Sequence, residues 1–419
     1  MKKHIHVIGG GVVGLSSAWY LQEAGFHVTL IDRGNFEDST STGNAGMIVP
    51  SHFIPMSSPG VIQQGIKWMF DSKSPFYVKP RLNLELAQWL WRFYRSCNKE
   101  HVVKSMPILY QFNEWSKELY QNFARDSKFD FCFEKKGLLM LYKTAHQEQE
   151  ELEMAEKAKQ LGVDVETLDA KELKKLEPEI DLDVLGGVYF PGDAHLYPNL
   201  FIQQLYRNLK DKGVQFLTNT EVIDFDYTGS KVHSVQLSSG KRISIDELLV
   251  TGGSWTSSLL KKLGIKMLLQ DGKGYSYTLQ NPLLRPRIPT ILTESKVAIT
   301  PMGEDLRIGG TLELGGMSKK VNDKRLSSIV ESLPKYYPHV DAKEPRIDKT
   351  WIGYRPCTPD GMPYIGRSKS ITNLSVATGH GMMGMSMGPA TGKLVSELYL
   401  GIGPSIDTTM FDLDRFTGR

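Results

Sequence analysis

Three glycines near the amino terminus, Gly9, Gly11 and Gly14, are spaced as GxGxxG. In a strand, turn and helix unit, the first glycine permits a tight turn, the second lets the backbone approach a pyrophosphate, and the third allows close packing of helix on strand. Val12 and Val13 would begin that helix, whose amino terminus offers free N–H groups and the positive end of its dipole to phosphate. The spacing therefore predicts a dinucleotide-binding turn.

The flanking residues supply the elements that this turn needs. Residues 4–8 have the composition of a short buried strand, and residues 15–24 have helical spacing. Residues 27–31 form a second predicted strand with Asp32 at its tip, where a carboxylate accepts hydrogen bonds from an adenosine ribose and repels a 2′-phosphate. A glycine-rich turn that serves packing alone is the alternative, but the strand, helix and acidic residue favour binding of FAD or NAD.

A second glycine-rich segment lies near the carboxyl terminus. After a predicted strand at 374–377 the sequence reads Gly379-His380-Gly381-Met382-Met383-Gly384-Met385, and a helix is predicted over 389–400. Such glycine density permits close backbone approach to a flat ligand, and a helix amino terminus here would favour negative charge on the pyrimidine edge of a flavin. A flexible loop before a packing helix, with the methionines in the core, is the alternative interpretation.

The order of predicted elements indicates an α/β fold: a Rossmann-like nucleotide-binding domain and an α+β substrate domain with a mostly antiparallel sheet. Alternating patterns at 137–142, 274–279, 297–300 and 306–308 suit that sheet. We predict that residues 1–80, 148–228, 245–265 and 350–419 form a discontinuous nucleotide-binding domain. Residues 81–147, 229–244 and 266–349 would form the substrate domain.

Composition limits the kind of partner. The formal net charge is +3 over 419 residues and no long run of lysine or arginine occurs, so a small-molecule partner is favoured over nucleic acid. The three cysteines, Cys97, Cys132 and Cys357, lack the spacing of a disulfide framework or a zinc site, which predicts a reducing, cytoplasmic compartment and no metal. A first strand beginning near His4 argues against an export signal, and no apolar run approaches the ~20 residues of a membrane span.

One segment also has the character of a membrane-surface element. Residues 84–97 are predicted to form a helix with four aromatic side chains, which are Trp89, Trp91, Phe93 and Tyr94. Such a helix can rest on the inner face of a membrane as a peripheral contact. The alternative is an amphipathic helix that packs on the core through Leu86, Leu90, Phe93 and Cys97.

Several further motifs are spread along the sequence. They are Ser41 with Asn44-Ala45-Gly46, Pro59-Gly60 with Lys67-Trp68, Lys273-Gly274-Tyr275-Ser276, Arg307 with Gly310-Thr311 and Glu313, Arg355-Pro356 with Pro359-Asp360-Gly361-Met362-Pro363, and Gly379-His380-Gly381. Together with the GxGxxG turn, this set resembles the glycine/D-amino acid oxidase superfamily of FAD-dependent amine oxidoreductases, most closely its D-amino acid dehydrogenase branch. The resemblance covers essentially the whole chain.

The resemblance implies FAD in an extended form beneath the substrate domain, and oxidation of a C–N bond. A hydride would pass from Cα of an amino acid to flavin N5, and the imine would hydrolyse to a 2-oxo acid. A D-amino acid as substrate and a quinone or electron carrier as acceptor are implied by the same branch. Relatives that hold flavin through a cysteine use a position that Cys357 does not occupy, so we expect a non-covalent cofactor.

Alternatives remain open for the substrate. Where this chain reads Asp193-Ala194-His195-Leu196-Tyr197-Pro198, the D-amino acid dehydrogenases carry a different, cysteine-containing run. A dehydrogenase or oxidase of a secondary amino acid, of the proline, hydroxyproline or sarcosine type, or of glycine is the runner-up. A non-catalytic NAD-binding sensor is the alternative from another class; residues 273–275 and 379–388 argue against it, because a sensor needs no covered ring.

Three residues are predicted to act on the substrate. Arg355, placed between a strand at 351–353 and a turn at 359–361, would clamp a carboxylate through two parallel hydrogen bonds, with a structural ion pair as the alternative. Tyr275 would donate a second hydrogen bond or shield the ring, unless it packs within the sheet. His52 would tune the flavin or deprotonate the amine, unless it is a hydrogen-bonded structural residue. Arg307 and Glu313 are expected to form a structural pair.

The residues predicted to bind FAD come from the two glycine-rich segments and from four segments between them. They are Gly9, Gly11, Val12, Val13, Gly14, Asp32, Arg33, Ser41, Asn44, Ala45, Gly46, Met47, Val222, Thr251, Gly252, Trp255, Gly379, His380, Gly381, Met382, Met383, Gly384 and Met385.

Overall fold

Short apolar stretches and amphipathic segments alternate along the chain and become strands and helices in the computed structural model. The structure describes residues 3–36, 39–63, 65, 74–79, 81, 83–340 and 350–417. Its strands are β1 (His4–Ile8), β2 (His27–Ile31), β3 (Met47–Ile48), β4 (Phe76–Val78), β5 (Leu138–Tyr142), β6 (Glu166–Asp169), β7 (Gly186–Phe190), β8 (Ala194–His195), β9 (Gln215–Leu217), β10 (Val222–Thr228), β11 (Lys231–Leu237), β12 (Arg242–Ser244), β13 (Glu247–Val250), β14 (Gln270–Leu279), β15 (Thr290–Leu292), β16 (Val297–Met302), β17 (Asp305–Leu314), β18 (Trp351–Cys357), β19 (Tyr364–Arg367) and β20 (Leu374–Thr378).

The described residues also form nine α-helices. They are α1 (Val12–Glu23), α2 (Leu84–Ser96), α3 (Lys99–Arg125), α4 (Ala145–Gln160), α5 (Ala170–Leu176), α6 (Pro198–Asp211), α7 (Thr256–Leu260), α8 (Asp323–Tyr336) and α9 (Gly384–Leu400).

A six-stranded sheet carries the amino-terminal turn. Its strands run in the order β9, β2, β1, β13, β20 and β19, and all neighbours are parallel except β19 and β20. β1, β2 and β13 are apolar and almost fully buried, as expected for parallel strands covered on both faces. Helices α1 and α9 cover one face, and the antiparallel three-stranded sheet of β10, β11 and β12 covers the other.

Two glycines bring helix α9 against helix α1. A Cβ atom at Gly392 would lie 2.4 Å from the backbone of Ser16, and one at Gly388 would lie 2.7 Å from the Val12 side chain. Pro389 lies inside α9 and has no N–H for the Met385 carbonyl, which accepts a hydrogen bond from the Tyr120 hydroxyl at 2.6 Å instead. These contacts hold the amino termini of both helices near the same cavity.

A nine-stranded, mostly antiparallel sheet forms the second layer of the molecule. Eight of its strands follow the order β18, β14, β17, β16, β15, β5, β7 and β6. The ninth strand, β4, pairs with the end of β17. The pairs β15–β5 and β17–β4 are parallel, and the others are antiparallel. Helix α8 packs its apolar side on one face through Leu326, Ile329 and Leu333.

The predicted fold class is confirmed, and two predicted elements have different bounds. The helix predicted from Pro389 begins five residues earlier, at Gly384. The strand predicted at 351–353 continues to Cys357, so Arg355 lies within β18 rather than after it.

Strand pairing does not follow the predicted domain boundaries at two places. β6 and β7 pair within the nine-stranded sheet, although they lie in 148–228, which was assigned to the nucleotide-binding domain. β11 and β12 pair with β10 and pack beside β13, although 229–244 was assigned to the substrate domain. We propose that each segment belongs with the sheet it pairs in; the other boundaries remain predictions.

Helix α2 is amphipathic. Leu86, Trp89 and Phe93 are buried, whereas Trp91 and Tyr94 are exposed on the opposite side. The inner side of the helix packs on the core as the packing alternative expects, but with Trp89 in place of Leu90; the exposed side leaves the membrane contact a prediction. Within the described part of the chain, no helix has both the length and the hydropathy to cross a membrane.

Candidate active site

A cavity of about 1590 Å³ extends from the amino-terminal turn to the nine-stranded sheet. The volume exceeds the roughly 300–1,000 Å³ that a drug-sized ligand occupies, so it can hold a dinucleotide with room for a small substrate. The cavity is lined by the glycine-rich turn, the loop at 39–58, the residues after β13, the start of α9 and one edge of the nine-stranded sheet.

The glycine-rich turn is as tight as its motif requires. Gly9 has φ +109°, and a Cβ atom there would lie 2.7 Å from the Thr251 carbonyl oxygen. A Cβ atom at Gly14 would lie 1.8 Å from the Gly9 carbonyl oxygen, so only glycine allows this helix and strand to meet. At Gly11 the nearest such contact is the Ser41 hydroxyl at 3.2 Å, which leaves the cavity side open. Helix α1 has no acidic residue in its first turn, so its positive end faces an open cradle suited to diphosphate.

The adenosine end is built at the tip of β2. The Asp32 carboxylate accepts hydrogen bonds from the N–H groups of Gly10 at 2.6 Å and Gly34 at 2.7 Å, and its remaining lone pairs are available to a ribose. The Arg33 guanidinium stacks over the Trp255 ring at 3.8 Å from its centroid. Asp32, Arg33 and Trp255 line the cavity, as do Val222, Thr251 and Gly252.

The loop from Ser41 to Met47 is hydrogen-bonded to helix α1 and to the nine-stranded sheet. The Ser41 hydroxyl accepts from the Val12 N–H at 3.0 Å. Arg307 donates to the carbonyl groups of Thr42 at 2.7 Å and Asn44 at 2.9 Å. The predicted Arg307–Glu313 pair is wrong, because the Glu313 carboxylate lies instead near Lys273 and Arg325, each at 3.8 Å.

The carboxyl-terminal segment closes another side of the cavity. Gly381–Met383 forms one 3-10 turn that leads into α9, whose first turn contains no acidic residue. The His380 ring is buried and its Nε2 atom lies 2.9 Å from the Thr391 hydroxyl, and burial lowers the pKa of His380 to about 3. A neutral, fixed imidazole indicates a structural role for this side chain, beside a backbone that forms the cavity wall.

Arg355 lies on β18 and reaches across β14. A Cβ atom at Gly274 would lie 2.5 Å from Arg355 Nη1, so the absence of a side chain at Gly274 makes room for the guanidinium. Arg355 donates to the Thr311 carbonyl, lines the cavity and is only half-buried. Burial lowers the pKa of Arg355, and the described residues include no carboxylate that pairs with it. The ion-pair alternative therefore has no support among these residues, and the group is suited to bind an anion from the cavity.

Tyr275 lies beside Gly274 on β14, but on the other face of the sheet. Neighbouring residues of a strand point to opposite faces, and Gly274 shares its face with Arg355. The Tyr275 ring accordingly packs in the core under α8, and its hydroxyl accepts from the Asn322 N–H at 3.1 Å. Burial and the Glu313 carboxylate raise the pKa of Tyr275. Tyr275 contributes to the cavity wall, but its hydroxyl is engaged elsewhere, which favours the packing alternative; its role towards the substrate stays a prediction.

His52 lies in the turn after β3 and lines the cavity. Burial, and secondarily the Lys296 ammonium, lower the pKa of His52 to about 4. Its Nδ1 atom lies 3.2 Å from the Ser51 hydroxyl, and Ser51 donates to Asp193. A neutral imidazole with one nitrogen held in this way can accept a proton at the other.

The cavity brings together most of the predicted site residues. All three predicted substrate residues line it, and so do the predicted FAD-binding residues apart from Gly14, Gly46 and Gly379, which act through close packing or positive φ. Lys67 and Trp68 lie outside the described residues. Sequence reasoning gave no role to Ser51, Asp193 or Thr311. Two of them had a sequence signal, since Asp193 begins the run that departs from the dehydrogenase pattern and Thr311 lies in the Gly310-Thr311 motif.

The residues therefore fit an extended dinucleotide with a flat ring between α9 and the nine-stranded sheet. Among the described residues, no cluster of three or more His, Cys, Asp or Glu side chains has an arrangement that could hold a metal ion. A family model described as FAD dependent oxidoreductase matches residues 4–398. The chain belongs to this family. FAD is its cofactor.

Several known proteins are similar to this FAD-dependent oxidoreductase. It is 32% identical over 421 residues to a D-amino acid dehydrogenase of Neisseria meningitidis serogroup C, covering 98% of this chain and 99% of the relative. It is 31% identical over 399 residues to a D-amino acid dehydrogenase of Helicobacter pylori, covering 95% of each chain. The fold is similar to a glycine oxidase from Geobacillus kaustophilus, with a TM-score of 0.79, 21% identity and 99% coverage of both chains. These similar proteins are named as enzymes of amino acids.

Proposed function

We propose that the protein is a D-amino acid dehydrogenase, which oxidises the Cα–N bond of a D-amino acid and passes the electrons to a quinone or carrier. The observation that carries the proposal is the Arg355 guanidinium, which faces the cavity without a carboxylate partner among the described residues. A free guanidinium beside a flavin-sized cavity supports an α-amino acid carboxylate as the ligand. The similarity to relatives named D-amino acid dehydrogenase supports the D-configuration.

Arg355 would fix the substrate by two parallel hydrogen bonds to its carboxylate. The Thr311 carbonyl holds one guanidinium nitrogen, so the direction of the remaining N–H groups is set before the substrate arrives. Small residues in the adjoining wall, Ser276, Ala298 and Gly309, leave space for the rest of the amino acid. Positioning of this kind can supply a large part of the rate, because it prepays the entropy of bringing the reacting groups together.

FAD, when bound, supplies the two-electron acceptor that takes the hydride from the substrate Cα. The residues described above would hold it: the Gly9–Gly14 turn at the diphosphate, Asp32 at the ribose and the start of α9 at the ring. The amine lone pair forms the C=N bond as the hydride leaves. The imine product then reacts with water to give a 2-oxo acid and ammonia.

The acceptor proposal rests on helix α2. Its inner residues Trp89 and Phe93 line the cavity, and its outer residues Trp91 and Tyr94 are 58% and 60% exposed. Stacked exposed aromatic rings on a helix with Arg92 and Arg95 are typical of an interfacial contact. This arrangement supports a peripheral membrane contact and a lipid-soluble acceptor.

A secondary amino acid or glycine is the second candidate substrate, and the departure at 193–198 from the dehydrogenase pattern favours it. The test is anaerobic bleaching of the flavin absorbance by D- and L-amino acids, glycine, sarcosine and hydroxyprolines. We expect D-amino acids to bleach it fastest. Faster bleaching by glycine or a secondary amino acid would select the second candidate, and no bleaching by any of these compounds would contradict both.

A further inference from the structure

A chain of hydrogen bonds leads from the cavity wall to a buried carboxylate. The Ser51 hydroxyl lies 3.2 Å from His52 Nδ1 and donates to Asp193 Oδ2 at 2.5 Å. The Ser51 backbone N–H donates to the other carboxylate oxygen at 3.1 Å. Ser51 and Asp193 are 5% and 2% exposed, whereas His52 lines the cavity. The three side chains therefore connect the cavity with the interior.

The fold builds this chain from two distant segments. β3 and β8 pair antiparallel, with Ile48 opposite Ala194, so the residue before β8 meets the turn after β3. The His52 N–H donates to the Val49 carbonyl at 3.0 Å, which tightens that turn and places Ser51 over Asp193. Beyond Asp193, the Lys117 ammonium donates to the Gly192 carbonyl at 2.9 Å and to Glu114, which is partly exposed on α3.

The protonation state of Asp193 decides which group donates in each side-chain hydrogen bond of the chain. An ionised Asp193 can only accept, so the Ser51 hydroxyl donates to it. The Ser51 oxygen then accepts from His52 Nδ1–H, which leaves His52 Nε2 unprotonated. If Asp193 is protonated, the two side-chain hydrogen bonds reverse, the Ser51 backbone N–H still donates to the carboxyl group, and His52 Nε2 carries the proton. The chain thus has two states that differ by one proton.

We propose that His52, Ser51 and Asp193 form a proton relay that removes one proton from the substrate ammonium group before hydride transfer. The proposal rests on the proposed function, since it needs an amine in the cavity. An N–H bond of the substrate breaks and a His52 Nε2–H bond forms. The Nδ1 proton passes to Ser51, and the Ser51 proton passes to Asp193. The amine keeps the electron pair that hydride transfer requires, and no oxidant or reductant is consumed.

The surroundings match a relay that works near neutral pH. Burial raises the pKa of Asp193 to about 7, against the lowering effects of the Ser51 hydrogen bonds and Lys117. Because the relay accepts a proton only when Asp193 is ionised, its capacity is present above about pH 7 and is lost below. The titratable groups that face the chain are Glu114, Lys117, Tyr110 and Tyr189 at Asp193, and Lys296, with Glu151 beside it, at His52.

The test measures the rate of flavin reduction in anaerobic single turnovers across a pH range, with the holoenzyme. The native protein should lose rate as the pH falls through about 7. Ser51→Ala and Asp193→Asn should each slow reduction roughly 10²-fold near neutral pH and remove that inflection. At a pH where the substrate amine is deprotonated in solution, both variants should approach the native rate. Ser51→Thr keeps the hydroxyl and should restore most of the loss.

Glu177→Gln is the matched control. Glu177 is a buried carboxylate that accepts from backbone N–H groups, and burial raises its pKa, but it lies outside the cavity. It should keep the native pH profile. Variants of Ser51 and Asp193 with the native inflection and native rates would overturn the relay, as would a deficit that persists unchanged at high pH.

A measurement without substrate separates the relay from the proposed function. Infrared difference spectra of the FAD-loaded protein should show the C=O stretch of a protonated carboxylic acid as the pH falls through about 7. That band should be absent in Asp193→Asn and retained in Glu177→Gln. If no amino acid bleaches the flavin but the band titrates as expected, the proposed function fails and the coupled carboxylate stands. If the flavin bleaches but the band is missing, the relay fails alone.

Discussion

Arg355 is the residue on which substrate binding depends in the proposed reaction. Arg355→Ala would leave a desolvated carboxylate without its partner, a loss of about 2 to 5 kcal/mol. At about 1.36 kcal/mol per decade, kcat/KM should fall roughly thirtyfold to several thousandfold. Arg355→Lys keeps the charge but cannot make the two-point contact, so it should recover part of the loss. Steady-state kinetics with an amino acid and with its decarboxylated amine test this.

The comparison of the two substrates distinguishes a clamp from a structural arginine. The native protein should act poorly on the amine, and Arg355→Ala should slow the amine hardly at all. Arg367→Ala is the control, because Arg367 is paired with Glu247 outside the cavity. An equal loss on both substrates, with FAD content unchanged, would show that Arg355 is structural.

Sequence reasoning is most informative for residues whose type limits the backbone or the ligand. The turn needs glycine at Gly9 and Gly14, where a Cβ atom would lie 2.7 and 1.8 Å from the nearest backbone atom, and an arginine without a carboxylate partner among the described residues is suited to bind an anion. The orientation of Tyr275 could not be predicted, because strand register decides which face a side chain takes and one residue of shift reverses it. Asp193 and Ser51 were missed because they meet only through the β3–β8 pairing, 142 positions apart in sequence.

At the scale of elements, the contact between α1 and α9 sets where the two helix amino termini lie. The sequence predicted both helices, but it placed the start of α9 at Pro389, whereas Gly384 and Gly388 are already helical. Gly388 and Gly392 allow the two helices to approach closely. Glycine in a helix costs about 1 kcal/mol relative to alanine. Gly392 offsets this cost by allowing the two helices to pack closely, since only glycine fits against the Ser16 backbone.

Gly392→Ala should therefore destabilise the protein despite its better helix propensity. The added Cβ atom would lie 2.4 Å from the Ser16 backbone and force α9 away from α1. We expect a net loss of about 1 to 3 kcal/mol in the free energy of unfolding, together with weaker FAD binding. Chemical denaturation with and without FAD measures both. Gly366→Ala, whose Cβ would make an ordinary 3.8 Å contact, is the control, and equal stability of the two variants would contradict the argument.

At the scale of the whole molecule, the cavity between the two sheets that would hold FAD has no cysteine in the wall formed by the described residues. None of Cys97, Cys132 and Cys357 lines the cavity, and burial raises the pKa of the Cys357 thiol to about 12. A thiol with so little thiolate is a poor nucleophile towards the flavin ring. Acid precipitation should therefore release all the yellow colour into the supernatant. Colour that stays with the pellet would contradict a non-covalent cofactor.

The route by which electrons leave also depends on the whole molecule, because α2 separates the cavity from the surface. If Trp91 and Tyr94 rest on a membrane, Trp91→Ala/Tyr94→Ala should lose about 2 kcal/mol of binding to anionic vesicles, roughly thirtyfold in affinity. Reduction of a long-chain quinone within those vesicles should fall with it, whereas reduction of a water-soluble quinone should not. Leu283→Ala removes a fully exposed apolar residue elsewhere and should change neither. Unchanged vesicle binding by the double variant would exclude α2 as the contact. Peroxide formation in air at the quinone rate would show that oxygen is the acceptor, and that the protein is an oxidase.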